Sequence, residues 1–376
     1  MKICIVTTIP SPYRTPLFNR INSLLKIHGY ELFVVFLAKG YQRRKWTFDA
    51  STWNFQYFFL NDPKITTGEV FFSFAFSLLG LLFKLNPDIV VTGGFSVPTI
   101  WSTLYCQLNR KKSLIWSGET IDENSTRSYQ WIRTLFRRFM VKKSDGFISY
   151  GNKSKEYLLS IGASESDIRI AINTVDTQFY SFYSNEKNPD PTVKKIIFVG
   201  HLEKRKGIFE LIEAFSIIQR KKTNLGFKFE LHIIGDGTQA KNLVQFIETK
   251  KLANIRLHGF QQSDYIRSLF RSMDILVFPS LTELYGLVPI EGMAAGLPVL
   301  VSKYAGISGE LHECKYSQML FDPKNILDFA DKMYSVLTVT TLYFTLKMLS
   351  RELCEKKFSI KLSANSFTKA LVAIDV

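Results

Sequence analysis

The chain has 376 residues, 46% of them apolar, and 48 Lys and Arg against 33 Asp and Glu, a formal charge of +15. This length and apolar share exclude a disordered or fibrous chain and predict two globular domains. The charge favours anionic partners, whether nucleic acid, anionic lipid or phosphorylated substrates. Cys4, Cys106, Cys314 and Cys354 are scattered with no C-x-x-C pair, which predicts a reducing compartment and no zinc site. Lys2 is followed at once by a strand-like run, so no signal peptide is expected. The apolar run 70–83 falls short of the ~20 residues that span a bilayer and predicts a buried helix.

In chain order, the first half predicts strands at 3–8, 32–37, 89–92, 113–116 and 146–149. Helices are predicted near 15–27, 70–84, 97–109, 129–142 and 152–160. Residues 181–192, rich in Ser, Asn, Asp and Pro, read as a linker. The second half predicts strands near 195–199, 229–234, 255–257, 274–278 and 299–301. Its helices fall near 207–220, 238–250, 263–271, 289–295 and 325–337. A helix-like tail covers 358–374. Such alternation predicts an α/β protein of two doubly wound halves with parallel sheets.

The most informative string is residues 278–296, FPSLTELYGLVPIEGMAAG. It follows a buried strand, turns through Pro279, Ser280 and Gly286, and enters a helix at Pro289, a residue suited to a first helical position. Glu283 falls in the loop and Glu291 in the first helical turn. Between them the amides of Gly286, Leu287 and Val288 are placed to meet an anion. Two carboxylates flanking an anion pocket suit a ligand with hydroxyls on both sides of a phosphate, such as a nucleotide sugar. A glycosidase pair does not fit. On one continuous helix the spacing would separate the carboxylates by ~12 Å, against roughly 5 to 9.5 Å in glycosidases.

Glu-x7-Glu with its internal Gly and following A-x-G-x-P resembles the signature of retaining glycosyltransferases of the GT-B fold, the GT4 (glycosyltransferase group 1) family. The resemblance implies two Rossmann-like domains facing across a cleft. An acceptor domain spans 1–180, a linker 181–192 and a nucleotide-sugar domain 193–357, with a C-terminal helix over 358–376 crossing back to the first domain. Gly200-His-Leu-Glu-Lys-Arg-Lys-Gly207 resembles the family's G-R-L-x-x-x-K-G, in which Arg and Lys hold the donor diphosphate. Lys206 matches the Lys. His201 stands where Arg is usual, and Arg205 is a second candidate for the missing charge. Ile233-Ile-Gly-Asp-Gly237 supplies Gly235 and Gly237, read either as a phosphate-proximal G-x-G or as a tight turn. His258-Gly-Phe260 ends a strand facing the same crevice and is a candidate for contact with the base. Gly306-Ile-Ser-Gly-Glu310 resembles the family's G-G-x-x-E and reads as a pocket wall, with no catalytic role for Glu310. Asn173-Thr-Val-Asp176 resembles the family's N-G-V-D, with Thr174 in place of Gly.

The first half lacks the Gly-Gly that many relatives carry after strand one. Its loop Thr7-Thr-Ile-Pro-Ser-Pro-Tyr-Arg14 is stiffened by Pro10 and Pro12. Gly93-Gly94 offers another close-approach site. Trp116-Ser-Gly-Glu119 ends the strand where many relatives carry a His or Asp near the sugar. Glu119 is the candidate there, with Asp122 and Glu123 as competitors. Residues 127–143, RSYQWIRTLFRRFMVKK, form a basic amphipathic helix without an acid. It is expected to pack Trp131, Ile132, Leu135, Phe136, Phe139 and Met140 inward and to present Arg133, Arg137, Arg138 and Lys142 to anionic lipid.

The expected activity is retaining transfer of a sugar from a nucleotide sugar to a lipid-linked or oligosaccharide acceptor in bacterial surface polysaccharide assembly. The expected place is the cytoplasmic face of the membrane, held peripherally, with no metal or other cofactor. Glu291 would hold ribose hydroxyls and Glu283 the sugar, while Lys206 would offset charge on the leaving diphosphate. Two other classes stay open: a nucleotide-sugar epimerase on the same fold, and a nucleic-acid-binding protein, for which the sequence offers no binding module.

Overall fold

The computed structural model describes residues 1–40, 46–67, 70–121, 130–182, 192–221, 226–312 and 315–374. The chain divides into two units, Met1–Asp176 with Ile360–Val376, and Thr177–Ser359.

In the first unit the elements run β1 (Lys2–Thr7), α1 (Thr15–Ile27), β2 (Glu31–Phe36), β3 (Gln56–Phe59), β4 (Lys64–Thr67), β5 (Val70–Ser73), α2 (Phe76–Leu85), β6 (Ile89–Gly93), α3 (Val97–Asn109), β7 (Lys112–Ser117), α4 (Gln130–Lys143), β8 (Gly146–Ser149), α5 (Asn152–Ser160) and β9 (Ile168–Ile170). Seven strands form a sheet in the order β3-β2-β1-β6-β7-β8-β9, parallel throughout. The central strands are continuous apolar runs because helices cover both faces. On one face Phe18, Phe36 and Trp116 pack with Phe367 of the C-terminal helix (Ile360–Val372). Cys4, Val35 and Val90 look the other way, onto Leu78 and Leu82 of α2 and Tyr105 and Cys106 of α3.

The helix expected over 70–84 is shorter than its apolar run. Residues 70–73 pair antiparallel with Lys64–Thr67, as a Val-Phe-Phe run can in a strand. Ala75 then takes a left-handed backbone, φ 47°, and α2 starts only after that break. The strands β3 and β9 were not expected.

The second unit runs α6 (Thr177–Tyr180), β10 (Val193–Val199), α7 (Ile208–Arg220), β11 (Lys228–Ile234), α8 (Ala240–Thr249), β12 (Ile255–Leu257), α9 (Ser263–Phe270), β13 (Ile275–Phe278), α10 (Val288–Ala294), β14 (Val299–Ser302), β15 (Leu320–Phe321), α11 (Ile326–Thr338) and α12 (Thr340–Leu353). Its sheet has the order β12-β11-β10-β13-β14-β15, again parallel. This is the doubly wound order, in which the chain reverses direction of travel between β10 and β13, and ligands of such sheets bind beyond the strand ends at that reversal. Most of the expected linker, 183–191, lies outside the described residues.

Helix α4 is turned differently from the expectation. Among its described side chains only Met140 and Val141 are fully buried, with Phe136 packed against the same cluster. Trp131, Ile132, Leu135 and Phe139 are 46–64% exposed. Arg137, expected on the outer rim, points inward to Tyr157 and Glu119. The ring-lined slot between Phe95 and Tyr157 accepts a planar guanidinium, so the aromatic stripe goes outward and the arginine inward.

Candidate active site

Lys206 closes a single turn of 3-10 helix after β10, and Glu283 lies in the loop after β13. These are the two loops at the sheet's reversal point. Lys206 Nζ donates to Glu283 Oε2, and the guanidinium of Arg205 stands 3.8 Å from the same oxygen. The side chains of Lys206 and Glu283 are only 11% and 17% exposed, so the pair is largely desolvated. Arg205 also bonds the carbonyl of Thr282, and its own backbone carbonyl accepts from Leu281 N at 2.8 Å. Arg205 therefore does face inward, and it stitches the two loops together.

Glycines make the loop contacts possible. Gly207 takes φ +68°, and a Cβ there would collide with the Pro279 carbonyl. Gly306, after β14, holds the other side of the Glu283 loop. Its N–H donates to Glu283 O at 3.0 Å, and a Cβ would collide with Leu284 O. Gly286 takes φ +101° with its Cα facing the Phe278 ring.

Gly235 and Gly237 stand in close backbone packing at the turn after β11. Gly235 has φ +147° and no room for a Cβ beside Gly200 O, and a Cβ on Gly237 would lie 2.5 Å from Leu202 O. The two glycines let the loop after β11 abut the loop after β10. Leu202 N donates to Asp236 O at 3.0 Å there, and Glu203 accepts from Thr238. His201 sits half-buried in the same β10 loop.

Glu291 lies in the first turn of α10, as expected, with Leu287 and Val288 half-buried just before it. Burial pushes its carboxyl up to about 7, although a hydrogen bond from Tyr180 counters part of the rise. Tyr180, on α6, was not anticipated. Its ring is 5% exposed, and burial raises its hydroxyl, with the Glu291 charge adding to the shift. A lone Tyr beside a presumed linker carries no periodic signal that could have identified it.

His258 is tied into an array that the sequence did not show. Its ring stacks on His232 at 5.2 Å, a ring nitrogen of each 3.0 Å apart. The other His258 nitrogen meets the Tyr265 hydroxyl, also at 3.0 Å. His232 in turn reaches Glu230 at 3.1 Å, and Arg256 bonds the second oxygen of that carboxylate. Burial is the largest cause lowering both imidazoles below their ordinary value.

In the first unit Glu119 is held by Arg137 at 2.9 Å, with its N–H on Ser117 Oγ. Its competitors Asp122 and Glu123 lie outside the described residues. Glu310 is buried, with its backbone carbonyl bonded by Lys357.

Residues 180–344 match the family model described as Glycosyl transferases group 1. Among curated proteins, the chain is 32% identical over 163 residues to an uncharacterized glycosyltransferase of Methanocaldococcus jannaschii, covering 43% of each chain. The chain thus spans under half the length of that relative. The solved Anabaena Alr3699/HepE in complex with UDP and glucose superposes with a TM-score of 0.76 at 15% identity, covering 99% of this chain and 100% of that one. The lipopolysaccharide outer core galactosyltransferase WaaB superposes with a TM-score of 0.69 at 16% identity, over 99% of each. The chain has the GT-B fold, and its residues 180–344, which contain Lys206, Glu283 and Glu291, carry the match to glycosyl transferases group 1.

Proposed function

We propose that the protein is a retaining glycosyltransferase of the GT4 type, taking its sugar from a nucleotide-sugar donor. The observation that carries this reading is the meeting of Lys206 and Glu283 at the reversal point of the second sheet, with Glu291 in the next helix. A cation and a carboxylate held together there suit a diphosphate and a sugar hydroxyl that take their place as partners. Glu291 receives the ribose hydroxyls, Glu283 the transferred sugar, and Lys206 with Arg205 offsets charge as the diphosphate leaves. The leaving diphosphate takes the acceptor proton, so the reaction needs neither a separate general base nor a metal. The neighbour solved with UDP supports a nucleotide donor.

The acceptor is a lipid-linked saccharide, and the work is done at the anionic inner face of the membrane in bacterial surface polysaccharide assembly. Support comes from the +15 charge and from the outer face of α4, where Trp131, Leu135 and Phe139 stand exposed among Arg133, Arg138, Lys142 and Lys143. No helix among the described residues is long and apolar enough to cross a membrane. The galactosyltransferase neighbour is a lipopolysaccharide enzyme.

The test is incubation of the full chain with a panel of nucleotide sugars, with and without lipid-linked saccharides. Release of nucleoside diphosphate only with acceptor present, and a product of unchanged anomeric configuration by NMR, is the expected result. Conversion of the donor without acceptor would establish an epimerase instead.

A further inference from the structure

The first unit has its own reversal point, between β1 and β6, and the loop after β1 places Arg14 there. It occupies the position in its unit that Lys206 occupies in the other, but its surroundings differ. Lys206 faces a carboxylate. Arg14 faces rings. Its guanidinium carbon lies 4.0 Å over Trp116, from the end of β7, and 5.3 Å from Tyr150, just after β8. Nη2 donates to Tyr150 OH, and Tyr13, its ring 5.8 Å away, is a second hydrogen-bond partner. Among the described residues no Asp or Glu pairs with it.

Arg14 is fixed in this place. Its N–H donates to Ser11 O at 3.0 Å at the entry of α1. Gly118 has no Cβ because Tyr150 lies where one would be. The aromatic rings offer cation–π attraction, and the hydroxyls of Tyr150 and Tyr13 accept from a guanidinium that carries five donors. Two further donors close by are buried and unpartnered, Trp116 Nε1 and Ser11 Oγ, in residues 1% and 2% exposed. A buried polar group without a partner costs about 1–3 kcal/mol. A cation and two orphan donors on the residues that touch it, at the end of a doubly wound sheet where ligands commonly bind, are complementary to an oxyanion.

The geometry points to an oxyanion site at Arg14, with Trp116 and Ser11 as its neutral donors, that receives a phosphate of the acceptor. The assignment of the anion to the acceptor rests on the glycosyl-transfer reading, whereas the anion site itself does not. Phosphate fits the fork of a guanidinium by two parallel bonds, and the rings around it exclude water from the contact. The acceptor would thereby be anchored by its charged group in the first unit.

The probe is inorganic pyrophosphate, titrated calorimetrically into the full chain. The wild type is expected to bind two, Arg14→Gln to lose one, and Lys206→Ala to lose the other. If the donor reading fails, Lys206→Ala leaves both events intact while Arg14→Gln still removes one. Unchanged stoichiometry and affinity in Arg14→Gln, with an unchanged melting curve, overturns the site. Should Arg14→Gln not fold, Trp116→Phe decides. It keeps a ring beneath the guanidinium and removes only the orphan N–H. A severalfold weakening of the Arg14 event supports the site, and no change overturns it.

Discussion

Tyr180 donates its hydroxyl hydrogen bond to the carboxylate of Glu291, joining the short helix α6 to the first turn of α10. The bond steadies the ionised carboxylate, but burial outweighs it and pushes the carboxyl up to about 7.

A pH dependence follows with opposite signs for binding and stability. In the proposed donor site ribose hydroxyls donate to the ionised Glu291, so nucleoside diphosphate affinity should fall below about pH 7, by up to about tenfold per unit. For stability, the folded value lies above the ordinary 4.5. The stabilising share is therefore complete below that ordinary value and is lost as pH rises through about 7. Glu291→Gln should melt higher than the wild type at pH 8.5 but not at pH 4, while binding diphosphate more weakly by about 2 kcal/mol. Calorimetry and melting curves across pH check both. Equal pH profiles for the two proteins would contradict the assignment.

Glu283→Ala should nearly abolish turnover and leave free nucleoside diphosphate binding mostly intact, because its proposed ligand contact is the sugar. Initial rates and diphosphate titration on the same preparation separate the two effects. Full activity would remove the role.

Lys206→Ala should cut turnover by about 10²-fold or more, because it loses the preorganised charge proposed to face the leaving group. Diphosphate affinity should drop with it. An effect confined to the acceptor constant would place Lys206 elsewhere.

Gly306→Ala should act on the Glu283 loop from behind. The added methyl meets Leu284 O, so the loop must move and the Gly306 N–H bond to Glu283 O weakens. Loss of at least about 2 kcal/mol is expected from such backbone strain. Wild-type stability by urea melting would show that the loop gives way freely.

Trp131, Leu135 and Phe139 changed together to Ser should reduce sedimentation with anionic vesicles while leaving the melting curve unchanged, since all three are exposed. Changing Arg133, Arg138 and Lys142 to Gln should do the same, at about 1 kcal/mol per charge. Arg137 is left out because it bonds Tyr157 and pairs with Glu119. Unaltered vesicle binding in both variants ends the membrane reading of this face.

The strands were legible where both faces are buried, since β1, β2 and β13 are largely continuous apolar runs. Helix periodicity placed α1, α3 and α7. It located α4 but assigned its faces wrongly, because aromatic and basic residues alternate so closely that either side could have been turned inward. The pairing of Arg137 with Tyr157 and Glu119 decided the matter, and no spacing rule anticipates it. Glu291 was placed by Pro289 and the helix entry, whereas its partner Tyr180 sits more than a hundred residues away in sequence. The same distance effect hid the His232–His258 stack, which forms only when β11 and β12 pair in register. Gly235 and Gly237 were ambiguous in sequence because a phosphate-proximal loop and a tight turn both call for glycine, and the neighbouring Gly200 and Leu202 carbonyls, which leave no room for a Cβ, could not be foreseen from spacing.

Phe367, Ala364 and Leu371 of the C-terminal helix complete the core of the first unit, although the whole second unit precedes them in the chain. Order of synthesis therefore works against order of position. The second unit is one continuous stretch and can close on the ribosome. The first must wait with one face of its sheet uncovered until the helix emerges, exposing apolar surface for the time it takes to make some 180 residues more. A chain built this way depends during that interval on whatever shields Trp116 and Phe18, and its yield should respond to chaperone supply more than its final stability suggests.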